Sequence, residues 1–201
     1  MKRRRWQELT SAIGRFSLLD HHQNAELQIR YMADAFGCDL TRVGTLIFDN
    51  LEETGLSWLR GDGGPIYDDD IYRSWEDLIH YGGEVQDPDL ETGLLWYSKK
   101  FSNLLQVLAQ GTDPDGDNLL DTTLVLWLSE FGDGWSHSLD GLPVILAGAA
   151  NTATGQFQDF RSQSYSTNDL YLSILQAFGQ ADTTFGYDMP ELRMEPILGL
   201  I

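Results

Sequence analysis

Glu76 and His80 stand four residues apart, and Glu130 and His137 follow further along the chain. A neutral imidazole and a carboxylate are good ligands for zinc and similar divalent ions. If 76–80 is helical, Glu76 and His80 share a face at i, i+4 and can grip one cation. Glu130 at a strand's end and His137 after it can face one crevice, where a bound metal would activate water or clamp a phosphoryl or sulfuryl oxygen. A second role is open to each pair. Glu76 and His80 can be a solvated surface pair, Glu130 can hydrogen-bond loop amides and His137 can cap a turn. Ser129, Ser136 and Ser138 are potential nucleophiles, but no Gly-x-Ser-x-Gly elbow surrounds them, so no catalytic residue is assigned.

Other chemistry-bearing residues carry less. Asp113-Pro114-Asp115-Gly116-Asp117-Asn118 invites a calcium reading, yet the sixth and twelfth positions of that loop are Asn118 and Leu124, not Gly and a carboxylate. It reads as a solvated turn. His21-His22 precede the first expected helix and read as exposed. Cys38 is the single cysteine, which excludes an intrachain disulfide and a cysteine-based zinc site. Its place at an expected helix end suits packing.

The elements that must position the site follow from periodicity. The apolar run 124–128 predicts a strand over 123–128 that delivers Ser129-Glu130-Phe131-Gly132, and a second strand is expected at 142–147. Residues 42–48 read as a further buried strand and 154–160 as an edge strand or hairpin. Helices are expected over 25–36, ended by Gly37, and after Asp89 on the stripe Leu94, Tyr97, Phe101, Leu104, Leu105 and Leu108. Ser166-Thr167-Asn168-Asp169 is a capping-box pattern opening a last helix that Gly179 stops. Residues 1–23 read as an N-terminal arm and 49–88 as an irregular, lid-like stretch. The tail with Pro190 and Pro196 is expected to lie across the surface. Apolar strands separated by helices predict an α/β fold, a mostly parallel sheet with helices on both faces. The arrangement reads as one incomplete domain over 24–201.

Composition bounds the partners. The formal charge of −18 over 201 residues repels phosphate backbones and anionic lipid, which argues against nucleic-acid and membrane-surface partners. It suits a divalent metal or a solubilising acidic surface. Apolar content of 42% with six Trp argues for a packed core. No run reaches the roughly 18 apolar residues of a membrane span. Met1-Lys2-Arg3-Arg4-Arg5-Trp6 looks like the charged head of an export signal without an apolar stretch behind it, so any signal is expected upstream.

The order of these pieces resembles the C-terminal half of the alkaline phosphatase and sulfatase superfamily. Ser129-Glu130-Phe131-Gly132 stands where that group has a Ser-Asp-His-Gly-like loop, and His137 precedes Leu142-Pro143-Val144 as its His precedes a Val-Pro strand. More closely, the chain resembles an uncharacterised bacterial family named for an HxxSHH motif and typically exported. Ala35-Phe36-Gly37-Cys38-Asp39-Leu40-Thr41-Arg42-Val43, Asn118-Leu119-Leu120-Asp121-Thr122-Thr123-Leu124-Val125, His137-Ser138-Leu139-Asp140-Gly141-Leu142-Pro143 and Asn168-Asp169-Leu170-Tyr171-Leu172-Ser173 carry that likeness. The resemblance implies an alkaline-phosphatase-like fold and a zinc or similar divalent site at His137, His80, Glu76 and Glu130. It also implies a small phosphate or sulfate ester as substrate and an exported location. The departures are equally specific. Glu76-Asp77-Leu78-Ile79-His80-Tyr81 keeps one His of the HxxSHH three, and Phe131 stands where a metal-binding His belongs. The implied site is therefore degenerate. A non-catalytic secreted or cell-surface domain that keeps the scaffold for binding is the competing expectation.

Overall fold

The computed structural model describes residues 21–48, 75–82, 88–148, 155–187 and 193–200. The expected arm lies outside these apart from residues 21–23, as does most of the irregular stretch 49–88. The chain divides into two compact units, 1–114 and 115–201.

The first unit is built on three helices: α1 (His21–Gly37), α2 (Trp75–Gly82) and α3 (Pro88–Gln110). Ala25, Ile29 and Ala33 recur every fourth residue and form the buried line of α1. The helix ends at Gly37, as expected, and the residues after it close the end. Leu40 N–H bonds to Ala35 O at 2.8 Å and Asp39 N–H to Phe36 O at 3.0 Å, with Asp39 in the left-handed region at φ 51°. That is a Schellman cap with Asp39 in the place usually taken by glycine.

Ala25, Trp75, Leu78 and Trp96 form the core of this unit, with Phe48, Ile79, Leu90 and Tyr97 packed on it. The expected stripe on α3 holds at Leu108, which is buried, but is displaced toward the N-terminal end of the helix. There Leu94 is half exposed, and Gly93, Trp96 and Lys100 are buried. The reason is bulk at two neighbouring positions. Gly93 leaves a notch that the Trp75 ring fills, so closely that any Cβ there would collide with it. Trp96 then brings the largest apolar payload to the seam, worth roughly 4–6 kcal/mol of transfer free energy when buried.

Residues 42–48 are not the buried strand that their composition predicts. No ladder forms there, and Val43 and Ile47 are 81% and 75% exposed. A short apolar run becomes a buried strand only if another strand pairs with it, and among the described residues none does. Phe48 turns inward, edge-on to Trp96 at 6.0 Å.

In the second unit a one-turn helix, α4 (Leu119–Thr122), precedes β1 (Val125–Leu128). Asn118 caps it, accepting from Leu120 N–H at 3.0 Å. β2 (Val144–Ala147) returns antiparallel to β1, with Val125 opposite Ala147 and Leu128 opposite Val144. This overturns the mostly parallel, alkaline-phosphatase-like sheet. The described residues hold five helices and one two-stranded antiparallel sheet. A parallel pair needs a crossover, usually helical, to carry the chain back to the starting edge. The connection 129–143 is made of turns, so the chain folds back beside itself. The strands are also not apolar on both faces in the buried sense, since Val144 and Ile145 stay exposed. Residues 155–160 form no strand, and Phe157 is open to solvent.

α5 (Thr167–Ala177) begins as its sequence predicts. Ser166 and Asp169 form a reciprocal capping box, and Gly179 follows the helix end at φ 75°. Asp169 is fully buried. Its Oδ2 accepts from Ser166 N–H at 2.7 Å and its Oδ1 from Glu195 N–H at 2.8 Å. One helical turn on, Ser173 Oγ–H donates to Asp169 O and accepts from Ile197 N–H, both at 2.7 Å. The tail is thus pinned to α5 by side chains of the helix, with Ile197 buried.

Candidate metal centre

α2 places the first pair. Trp75, Leu78 and Ile79 turn toward the core, which leaves Glu76 and His80 on the opposite side of a helix held firmly by packing. His80 Nε2 lies 2.9 Å from Glu76 Oε1, and the two side chains are 31% and 37% exposed. Two ligand atoms on one tetrahedral zinc sit roughly 3.3 Å apart, given Zn–N and Zn–O distances near 2.0–2.1 Å. The observed separation therefore needs only a small side-chain adjustment to admit an ion. A His/Glu group built on this helix could hold a metal ion.

The second unit places Glu130, Phe131 and His137 on the connection after β1. This connection is closed by a single bridge between Asp133 and Ser138, with Gly132 N–H bonded to Ser138 O at 2.8 Å. Gly132 lies against the Asp140 carbonyl so closely that no side chain fits there. Asp133 organises the turn. Its carboxylate accepts from Ser136 Oγ–H at 2.6 Å and from Trp135 N–H at 3.1 Å. The Ser136 hydroxyl first, and then the Trp135 amide, hold the Asp133 carboxyl below the usual carboxylate range.

His137 adopts φ 52°, an uncommon conformation for a residue with a side chain. Its ring lies parallel to Phe131, with centroids 4.5 Å apart and planes 5° from each other. Both His137 and Glu130 are exposed. The alternative role for Glu130 is not observed, because among the described residues its carboxylate accepts no loop amide. Glu76 and His80 are thus brought together in the first unit. Glu130 and His137 share the β1–β2 connection of the second.

Two lesser expectations change and a third holds. His21 and His22 are not solvated decoration: their rings pack 5.8 and 5.7 Å from Trp96, whose indole N–H donates to His22 Nδ1 at 2.7 Å. Cys38 does not pack but is exposed beyond the end of α1. Asn118 serves as the cap of α4, and Asp115 and Asp117 are exposed, as a solvated turn requires. Periodicity also missed Lys100, a buried cation 3.2 Å from Glu26. The signal that could have found it is its spacing of four from Trp96 on one helix face.

No helix among the described residues is long and apolar enough to cross a membrane. Comparison with protein-family models, curated proteins and solved structures finds no match to this chain.

Proposed function

We propose that the chain binds a divalent metal, zinc by the chemistry of its donors, with Glu76 and His80 as the gripping pair. The observation that carries this reading is the 2.9 Å approach of His80 Nε2 to Glu76 Oε1 on a helix whose other side is fixed by Trp75 and Leu78. Pre-placed donors bind an ion without a further ordering cost. A pair alone is a weak site; His137, and after it Glu130, which the HxxSHH-family resemblance assigns as ligands, stand on the β1–β2 connection of the second unit, so the reading rests on Glu76 and His80. On this reading the protein descends from metal-dependent hydrolases of phosphate or sulfate esters and keeps a reduced ligand set. The reading stands on the donors, not on a parallel sheet.

The test is zinc content and affinity of the purified protein by equilibrium dialysis, followed by a phosphatase and sulfatase screen of the zinc-loaded form. One bound equivalent, lost in His80→Ala, supports the assignment. Zinc-independent behaviour of wild type and variant refutes it.

A second reading, a non-catalytic binding domain, is favoured by Phe131. An apolar ring stacks on His137 where the resemblance expects a metal-binding imidazole, and catalysis by a metal pair needs a fuller ligand set than this. Stoichiometric zinc without ester hydrolysis is the outcome that selects it.

A further inference from the structure

In the first unit a cleft of about 370 Å³ opens between α1 and α3, lined by Glu26, Arg30, Trp96, Lys99, Lys100 and Asn103. The lining is set by helix geometry. Glu26 and Arg30 are four apart on α1, while Trp96, Lys99, Lys100 and Asn103 follow the i, i+3, i+4, i+7 row of one α3 face. Three of the chain's 13 basic side chains meet here, in a protein of net charge −18. Lys100 forms the floor. It is only 7% exposed, lies 5.4 Å from the centre of the Trp96 ring and pairs with Glu26 at 3.2 Å. Glu26 thereby offsets Lys100, and among the described residues Arg30 and Lys99 make no ion pair. Both reach the cleft as exposed, uncompensated cations beside the Asn103 amide.

We propose that this cleft binds a tetrahedral oxyanion, phosphate or sulfate, free or as a monoester. Arg30 supplies the planar fork that matches two oxygens of such an ion. Lys99 supplies a mobile point charge, and Asn103 an N–H donor. The Lys100–Glu26 pair is the rigid base on which they stand, since a buried ammonium stacked on Trp96 cannot swing away. The acidic remainder of the protein does not cancel this local field, because charges beyond about 8 Å are largely screened at physiological salt. The volume exceeds that of the bare ion, which leaves room for the ester group of a monoester. This site is independent of Glu76 and His80, and its failure would leave the metal reading untouched.

The experiment is a titration of metal-free full-length protein with inorganic phosphate, sulfate and methyl phosphate, each against sodium chloride at equal ionic strength. Amide and side-chain NMR shifts of Arg30, Trp96, Lys99 and Asn103 give the readout. Saturable shifts confined to these residues are expected. Arg30→Gln and Lys99→Gln, both at exposed positions and so compatible with folding, should each weaken binding about tenfold, the equivalent of one charge-assisted hydrogen bond. Glu26→Gln should tighten it several-fold by releasing the charge of Lys100. Tighter binding of methyl phosphate than of inorganic phosphate assigns the monoester as ligand, and the reverse order assigns the free ion. Linear shifts matched by chloride, or affinity unchanged in both Arg30→Gln and Lys99→Gln, overturn the proposal.

Discussion

The rings of Phe131 and His137 lie face to face, 4.5 Å between centroids and within 5° of parallel. The stack fixes the plane of an imidazole that the left-handed backbone at His137 has already directed. Metal coordination uses the in-plane lone pair of a ring nitrogen, whereas stacking uses the ring face. The two are compatible, and Phe131 can orient a ligand while contributing none.

A donor at position 131 would stand beside His137 and give the second unit an imidazole pair of its own. Phe131→His replaces an apolar ring by an imidazole of similar shape, and a second imidazole next to His137 should raise the zinc affinity of that connection by about tenfold or more, the scale seen for second-shell and ligand changes at zinc centres. Chelator competition measures it. Affinity equal to wild type would show that position 131 does not face the ion.

Gly93→Ala sets two effects against each other. Alanine in a helix interior is favoured over glycine by about 1 kcal/mol. Here the new methyl must displace the Trp75 ring from the core, and overpacking costs about 1–3 kcal/mol. A net destabilisation of the first unit is expected, read as a lower urea midpoint by tryptophan fluorescence. A higher midpoint would mean that Trp75 does not fill the notch.

Removing the hub of the second unit should free its tail. Asp169→Ala leaves the amides of Ser166 and Glu195 without their acceptor, at a cost of about 2–3 kcal/mol for a buried charged partner. Ser173→Ala leaves Ile197 N–H unpaired and should cost about 1–2 kcal/mol. Both variants should become sensitive to proteolysis within 193–200. Unchanged protection would contradict the pinning.

Asp159 provides the pH test. Hydrogen bonds from the Arg161 guanidinium, and next from the Arg161 amide, bring its carboxyl down from 3.8 to about 2. A depressed acid pKa stabilises the folded state above the ordinary value and loses that contribution as pH falls through about 2. The pair is exposed, so the effect belongs to the local turn. The carboxyl resonance of Asp159 should titrate near 2 and move back toward 3.8 in Arg161→Gln. An unmoved midpoint would dismiss the contact.

What could be read from the sequence was what local spacing determines. The Ser166–Asp169 capping box lies within one helical turn, and so does the Glu76–His80 approach, which needed only that 76–80 be helical. Partners far apart in sequence were not legible. His22 is packed because Trp96, 74 residues away, donates to it. The stripe on α3 shifted because Trp75 arrives from another helix to fill Gly93. Residues 42–48 and the β1–β2 pair show the same limit: apolar composition marks a segment able to form a strand, but pairing partner and direction are set by the path of the connection. The Phe131–His137 stack depends on one positive φ, which no spacing announces.

The proposed metal site depends on His80 and its partner Glu76. Zinc stoichiometry and affinity, measured side by side for wild type, His80→Ala and Glu76→Ala, test it. One equivalent is expected on the wild type, with affinity reduced at least a hundredfold in His80→Ala and clearly weakened in Glu76→Ala, on the scale of losing a ligand from a zinc site. Zinc bound by His80→Ala as tightly as by wild type, or by neither protein, would contradict it.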